Sequence, residues 1–76
     1  MKKIKLATLE DVKDFMEVSN SYEGHVDVKC GSIILDGKST VGMFGLGLSM
    51  ELNVYMITDD EYECDRFYNE IKRWEV

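Results

Sequence analysis

His25-Val26-Asp27-Val28-Lys29-Cys30-Gly31-Ser32-Ile33-Ile34-Leu35-Asp36 runs straight into Gly37-Lys38-Ser39-Thr40-Val41-Gly42-Met43-Phe44-Gly45-Leu46-Gly47-Leu48. In the first part, Val26, Val28 and Cys30 fall on every second position, the period of a half-buried strand. His25, Asp27 and Lys29 occupy its other, solvent-facing side. Gly31-Ser32 reads as a tight hairpin turn, with residues 32–35 as the returning strand. Asp36-Gly37 closes that strand. Ser39 is then placed to cap a short helix over residues 40–46, with Val41, Met43 and Phe44 as its apolar members. Three glycines (Gly42, Gly45 and Gly47) weaken this helix by propensity, so packing has to hold it.

Outward from this stretch the pattern alternates between strand and helix. Residues 3–7 alternate polar and apolar like an edge strand. Thr8 is an N-cap candidate, with Asp11 three residues on and Glu10 beside it at the positive end of the helix dipole. Leu9, Val12, Phe15, Met16 and Ser19 recur at helical spacing and predict a helix over residues 9–19. Downstream, Leu52, Val54 and Met56 alternate with Tyr55 and Ile57, a strand over residues 52–58. Thr58 or Asp59 is expected to cap a final helix with Asp59, Asp60 and Glu61 in its first turn. Cys64, Phe67, Tyr68, Ile71 and Trp74 form its inward stripe, and Lys72-Arg73 lie near its end. The order β-α-β-β-α-β-α implies helices on one face of an antiparallel four-stranded sheet, an α/β (α+β) two-layer sandwich.

The 76 residues fit one domain, 1–76, and a chain this short buries only roughly 60% of its unfolded surface. Fifteen acidic residues against nine basic ones give a net charge of −6. Direct nucleic-acid binding needs the opposite balance, whereas a basic surface on another protein suits it. No window is apolar enough to span a membrane, and the basic start is followed by Glu10 and Asp11 rather than an apolar run, so neither a membrane partner nor a secretory leader is expected. Two cysteines, Cys30 and Cys64, are too few for a disulfide framework. They suggest a cytoplasmic setting with two buried thiols, a single bridge between them being the alternative.

The residues also argue against several kinds of site. Gly37-Lys38-Ser39 ends like a P-loop, but the position five before Gly37 is Ser32, and the residues between form an apolar strand that cannot wrap a triphosphate. His25, the one histidine, has no Cys or carboxylate at a ligand spacing, so no metal and no cofactor is expected. Cys30 and Cys64 lie on apolar faces, which suits inert thiols rather than nucleophiles. Asp59, Asp60, Glu61 and Glu63 lack the turn glycine and ligand alternation of a calcium loop and read as a solvated helix start.

The run from Gly37 to Leu48 resembles the central segment of HPr, the histidine phosphocarrier of the bacterial sugar phosphotransferase system. Members of the HPr/Crh family carry Lys-Ser followed by a Leu-Gly there, as Lys38-Ser39 and Leu46-Gly47 do here. The resemblance extends over nearly the whole chain from Val12 onward and implies the HPr open-faced β-sandwich. It breaks at the first helix. The family's Gly-x-His-Ala-Arg-Pro stretch corresponds to Leu6-Ala7-Thr8-Leu9-Glu10-Asp11, with no His, Arg or Pro. A phosphohistidine needs an imidazole, and Glu10 and Asp11 would repel its phosphate.

From the resemblance follows a non-catalytic regulatory or adaptor role, with a transcriptional regulator, a kinase or a phosphotransferase-type enzyme as partner. In Gram-positive relatives the serine matching Ser39 is phosphorylated by HPr kinase, and some relatives lack the active histidine yet keep this serine. Ser39 is therefore a phosphorylation candidate, the alternative being that it only caps the helix. The family's docking surface maps onto Lys38, Thr40, Val41 and Phe44. Phe44 could equally turn into the core. Two rival readings stay open: a domain of this fold with an unrelated binding role, including as a homodimer, and a residual phosphocarrier using His25.

Overall fold

The central strands set the architecture. In the computed structural model, which describes residues 1–76, β2 (His25–Cys30) and β4 (Glu51–Ile57) pair antiparallel with Val26 opposite Met56 and Val28 opposite Val54. All four of these side chains are buried, while His25 and Ile57, opposite each other on the far side, are exposed. Alternation thus gives the sheet one apolar face and one solvent face. β1 (Lys2–Lys5) adds antiparallel to β4, and β3 (Ile33–Asp36) to β2, giving the order β1-β4-β2-β3.

Three helices cover the apolar face: α1 (Leu9–Asn20), α2 (Thr40–Gly45) and α3 (Glu61–Ile71), the last running into a 3-10 turn over Lys72–Trp74. The element order is the expected β-α-β-β-α-β-α. The core contains Phe15 and Met16 from α1, Phe67 and Ile71 from α3, and Trp74 from the final turn. Its aromatic rings meet edge to face, Phe15 on Trp74 at 6.0 Å and Tyr22 on Phe67 at 5.4 Å.

Caps fix the helix starts. The Thr8 hydroxyl accepts from the Asp11 N–H at 3.0 Å, and the Asp11 carboxylate accepts from the Ala7 N–H at 3.2 Å, one residue before the cap. The last helix is capped by Asp60 rather than by Thr58 or Asp59. Its Oδ1 reaches both the Tyr62 and Glu63 N–H groups, at 2.9 and 3.3 Å. The Thr58 hydroxyl instead accepts from the N–H of Asp60 itself and steadies the turn before the cap.

Other boundaries move slightly. β1 ends at Lys5 rather than at residue 7, because the Leu6 carbonyl turns away to accept from Ser49, although Leu6 stays buried. β3 begins at Ile33 because Gly31, at φ 61°, and Ser32 are both spent on the turn. The thiols are free and half-buried, not sealed in the core as expected.

The Gly37 of the P-loop-like run is a packing residue. It is buried, and its N–H donates to the Val26 carbonyl at 2.7 Å. A Cβ there would come within 2.6 Å of Val26 Cγ1 and 3.1 Å of Val28 Cγ2. Glycine is needed where the chain leaves β3 for α2 because the backbone there lies hard against the Val26 and Val28 side chains of β2. Gly37→Ala should therefore lose about 1–3 kcal/mol of stability by overpacking, read as a lower urea midpoint.

Candidate functional site

From Ser39 to Met50 no residue is charged, in a chain that is 32% charged. The run starts in a tight turn. The Asp36 carbonyl accepts from the Ser39 N–H at 3.0 Å, and its carboxylate accepts from the Lys38 N–H at 2.9 Å. Ser39 takes the N-cap position, its hydroxyl accepting from the Gly42 N–H at 3.3 Å. In the six residues of α2, Met43 alone turns fully inward. Val41 is 86% exposed and Phe44 is 43% exposed. The orientation of Phe44, open from sequence, is thus partly outward. With Met43 already filling the space beneath, a neighbour one position on in a helix must lean aside.

The chain leaves α2 by Leu46 and passes through Gly47 at φ 86° and Ser49 at φ 62°. Ser49 is the one non-glycine residue in the left-handed region, and its N–H is held by the Leu6 carbonyl at 2.8 Å. That bond lays the loop beside the start of α1. Leu48 and Met50 stand exposed on the loop, and Leu9 is exposed in the first turn of the helix. Sequence reasoning singled out Val41 and Phe44 but missed Leu9, Leu48 and Met50. The uncharged run was the available signal for the last two, while the contact with α1 depends on tertiary structure.

Lys38 and Ser39 do not act as a pair. The Lys38 ammonium donates to the Tyr22 carbonyl in the turn between α1 and β2, and Asn20 Nδ2 bonds the Lys38 carbonyl at 3.4 Å. This corner is densely polar. The Tyr22 hydroxyl donates to Glu70, and its pKa is pushed up to about 12, by burial first and by that carboxylate second. Arg66 lies 5.6 Å from the ring centres of both Tyr22 and Tyr62. Glu63 accepts from the N–H groups of Glu23 and Gly24, at 2.9 and 3.4 Å. Its carboxyl is held below the ordinary 4.5, chiefly by the Thr58 hydroxyl and then by these N–H groups. Of the expected site residues, Thr40, Val41 and Phe44 share one exposed surface. Ser39 is half-buried at its root, and Lys38 is turned toward the opposite corner.

The start of α1 holds Thr8, Leu9, Glu10 and Asp11. His25 begins β2, beyond the far end of a helix roughly 18 Å long. No pocket indents the surface, and no three His, Cys, Asp or Glu side chains gather.

The whole arrangement superimposes on a solved structure, the crystal structure of HPr-C-His from Thermoanaerobacter tengcongensis, with a TM-score of 0.73 over 95% of this chain and 92% of that one. The fold is that of HPr. At 20% identity the likeness carries the HPr fold alone. No family model matches the chain, and no curated protein matches it. No helix of this HPr fold is long and apolar enough to cross a membrane.

The corner around Lys38 makes a pH prediction. Because the Glu63 pKa is lowered on folding, the folded chain holds that proton less tightly than the unfolded one. The resulting stability is complete above the unfolded value and disappears as pH falls through the folded value. Glu63→Gln should therefore be less stable than the parent at pH 7, with the gap narrowing as the pH falls below the ordinary 4.5, as read from urea midpoints across that range.

Proposed function

We propose that the chain is a non-catalytic adaptor or regulatory protein on the HPr fold, of the sugar-phosphotransferase or catabolite-control type, that docks a protein partner on α2 and the loop after it. The observation that carries this reading is the 86% exposure of Val41 within a run free of charge. Phe44, Leu48 and Met50 are further exposed apolar side chains of the same uncharged run. Burying such a surface against a partner gains about 25 cal/mol per Å², and small apolar patches of this kind are where interface anchors concentrate. The partner is a transcriptional regulator, a kinase or a phosphotransferase-type enzyme.

Phosphoryl carriage fits the residues poorly. The start of α1 offers neither imidazole nor guanidinium, and Glu10 and Asp11 oppose a phosphate there. Ser39 is the modification candidate. Its phosphate would meet the Gly42 N–H, while Lys38 would have to give up the Tyr22 carbonyl to reach it. Phosphorylation would thus loosen the tie between α2 and the turn before β2 as it adds charge beside Val41.

Two incubations followed by mass spectrometry test this. With enzyme I and phosphoenolpyruvate the mass should not change, and with HPr kinase and ATP one phosphoryl group should appear, absent from Ser39→Ala. Labelling from phosphoenolpyruvate overturns the reading. In a pull-down, Phe44→Asp should lose the partner. A partner retained by that variant docks elsewhere on the fold, which returns the chain to an unrelated binding role.

A further inference from the structure

The two edges of the sheet differ. The free side of β1 is closed by the last residues of the chain: the Val76 N–H donates to the Lys3 carbonyl at 3.1 Å, Ile4 bridges Glu75, and Lys2 pairs with Glu75 at 3.2 Å. The free side of β3 has no such cover, since β3 pairs only with β2. The two-residue turn makes Cys30–Ile33 a hydrogen-bonded pair, and alternation makes Val28–Leu35 the next. The bond from Gly37 to the Val26 carbonyl continues the series. The N–H and C=O of Ile34 therefore point away from the sheet. Ile34 is 64% exposed and Ile33 is 55% exposed, one on each face of the strand. Natural edges are blunted by shortness, charge, Pro or a bulge; β3 is four residues long and carries one charge, Asp36, at its end, while Ser32-Ile33-Ile34-Leu35 has no Lys, Pro or bulge.

We propose that this edge pairs with a second copy of the chain, β3 against β3 and antiparallel, about a two-fold axis through Ile34, making one continuous sheet of eight strands. The choice of occupant follows from self-complementarity. With Ile34 opposite Ile34, the outward N–H and C=O groups of both copies meet directly. Ser32 then faces Asp36 of the second copy on each side of the isoleucine pair, and Ile33 faces Leu35 on the helix side. Asp36 gains from this arrangement. Within its own sheet it lies opposite Asp27, an unfavourable like-charge neighbour, and the Ser32 hydroxyl supplies a donor to its free oxygen. Sliding the register one way brings Asp36 over Ile34 or against the other Asp36, and sliding it the other way sets each Ile34 opposite Ser32 and leaves Asp36 without its serine partner. Only the centred register covers both isoleucines and keeps the carboxylates apart. A net charge of −6 on each copy opposes association, so pairing should strengthen with salt.

Sedimentation equilibrium from micromolar to millimolar concentration should detect a monomer–dimer equilibrium that shifts toward dimer with added salt. Ile34→Lys should abolish it with an unchanged circular-dichroism spectrum, since the side chain it replaces is already in water. A register test is sharper. It uses two cysteine variants, both made in a Cys30→Ser, Cys64→Ser background, since Cys30 is free and lies opposite Ile33 in its own sheet. Under mild oxidation Ile34→Cys should give a disulfide-linked dimer, because opposed residues of a hydrogen-bonded pair lie about 5.5 Å apart, within disulfide reach. Ile33→Cys, similarly exposed but opposite Leu35, should crosslink several-fold less. A chain that stays monomeric at millimolar concentration, a dimer that survives Ile34→Lys, or equal crosslinking of the two cysteine variants would each overturn the proposal.

Discussion

Val26 and Val28 of β2 lie against Val54 and Met56 of β4 on one side of the central strand pair, and the other elements are arranged around that contact. The sheet has a single apolar face, and in so short a chain the helices must all go there. Phe15 and Phe67 reach it from α1 and α3 and are wholly buried. The same requirement explains Gly37. Where the chain turns from β3 toward α2 it lies against the valine side chains of β2, which leaves no volume for a side chain at Gly37.

The one-sided sheet also accounts for what was legible. Alternation in β2 and β4 and the 3.6-residue stripe of α1 are properties of local sequence, and they placed the core layer and the element order correctly. Ser39 and Thr8 were readable as caps for the same reason, since a cap is decided within three residues. The third helix was harder. Thr58, Asp59 and Asp60 all have side chains able to cap it, and only backbone direction decides that Asp60 faces the free N–H groups while Thr58 faces Asp60.

What escaped the sequence is tertiary. In a six-residue helix the spacing of Val41, Met43 and Phe44 does not say which one faces inward, and it is the space left by the surrounding core that selects Met43. Lys38 and Ser39 look like a functional pair because they are adjacent. In the fold, the lysine is drawn toward Tyr22, whose carbonyl ends up beside it only after α1 has folded back. Cys30 and Cys64 share faces with buried neighbours but sit at the margins of the core, which no periodicity records.

The attachment of α2 through Met43, with Leu46 only partly buried behind it, has a dynamic corollary. Three backbone-liberating glycines lie in or beside a helix whose grip on the core is one flexible thioether, so this element belongs at the low end of the molecule's range of local opening energies. It would melt and reform many times within the lifetime of the folded sheet. A protein that recognises this face would therefore select from a fluctuating ensemble and bring order to it on contact. Part of the gross interaction energy would then be consumed in freezing the helix, which favours quick, reversible encounters over permanent assembly.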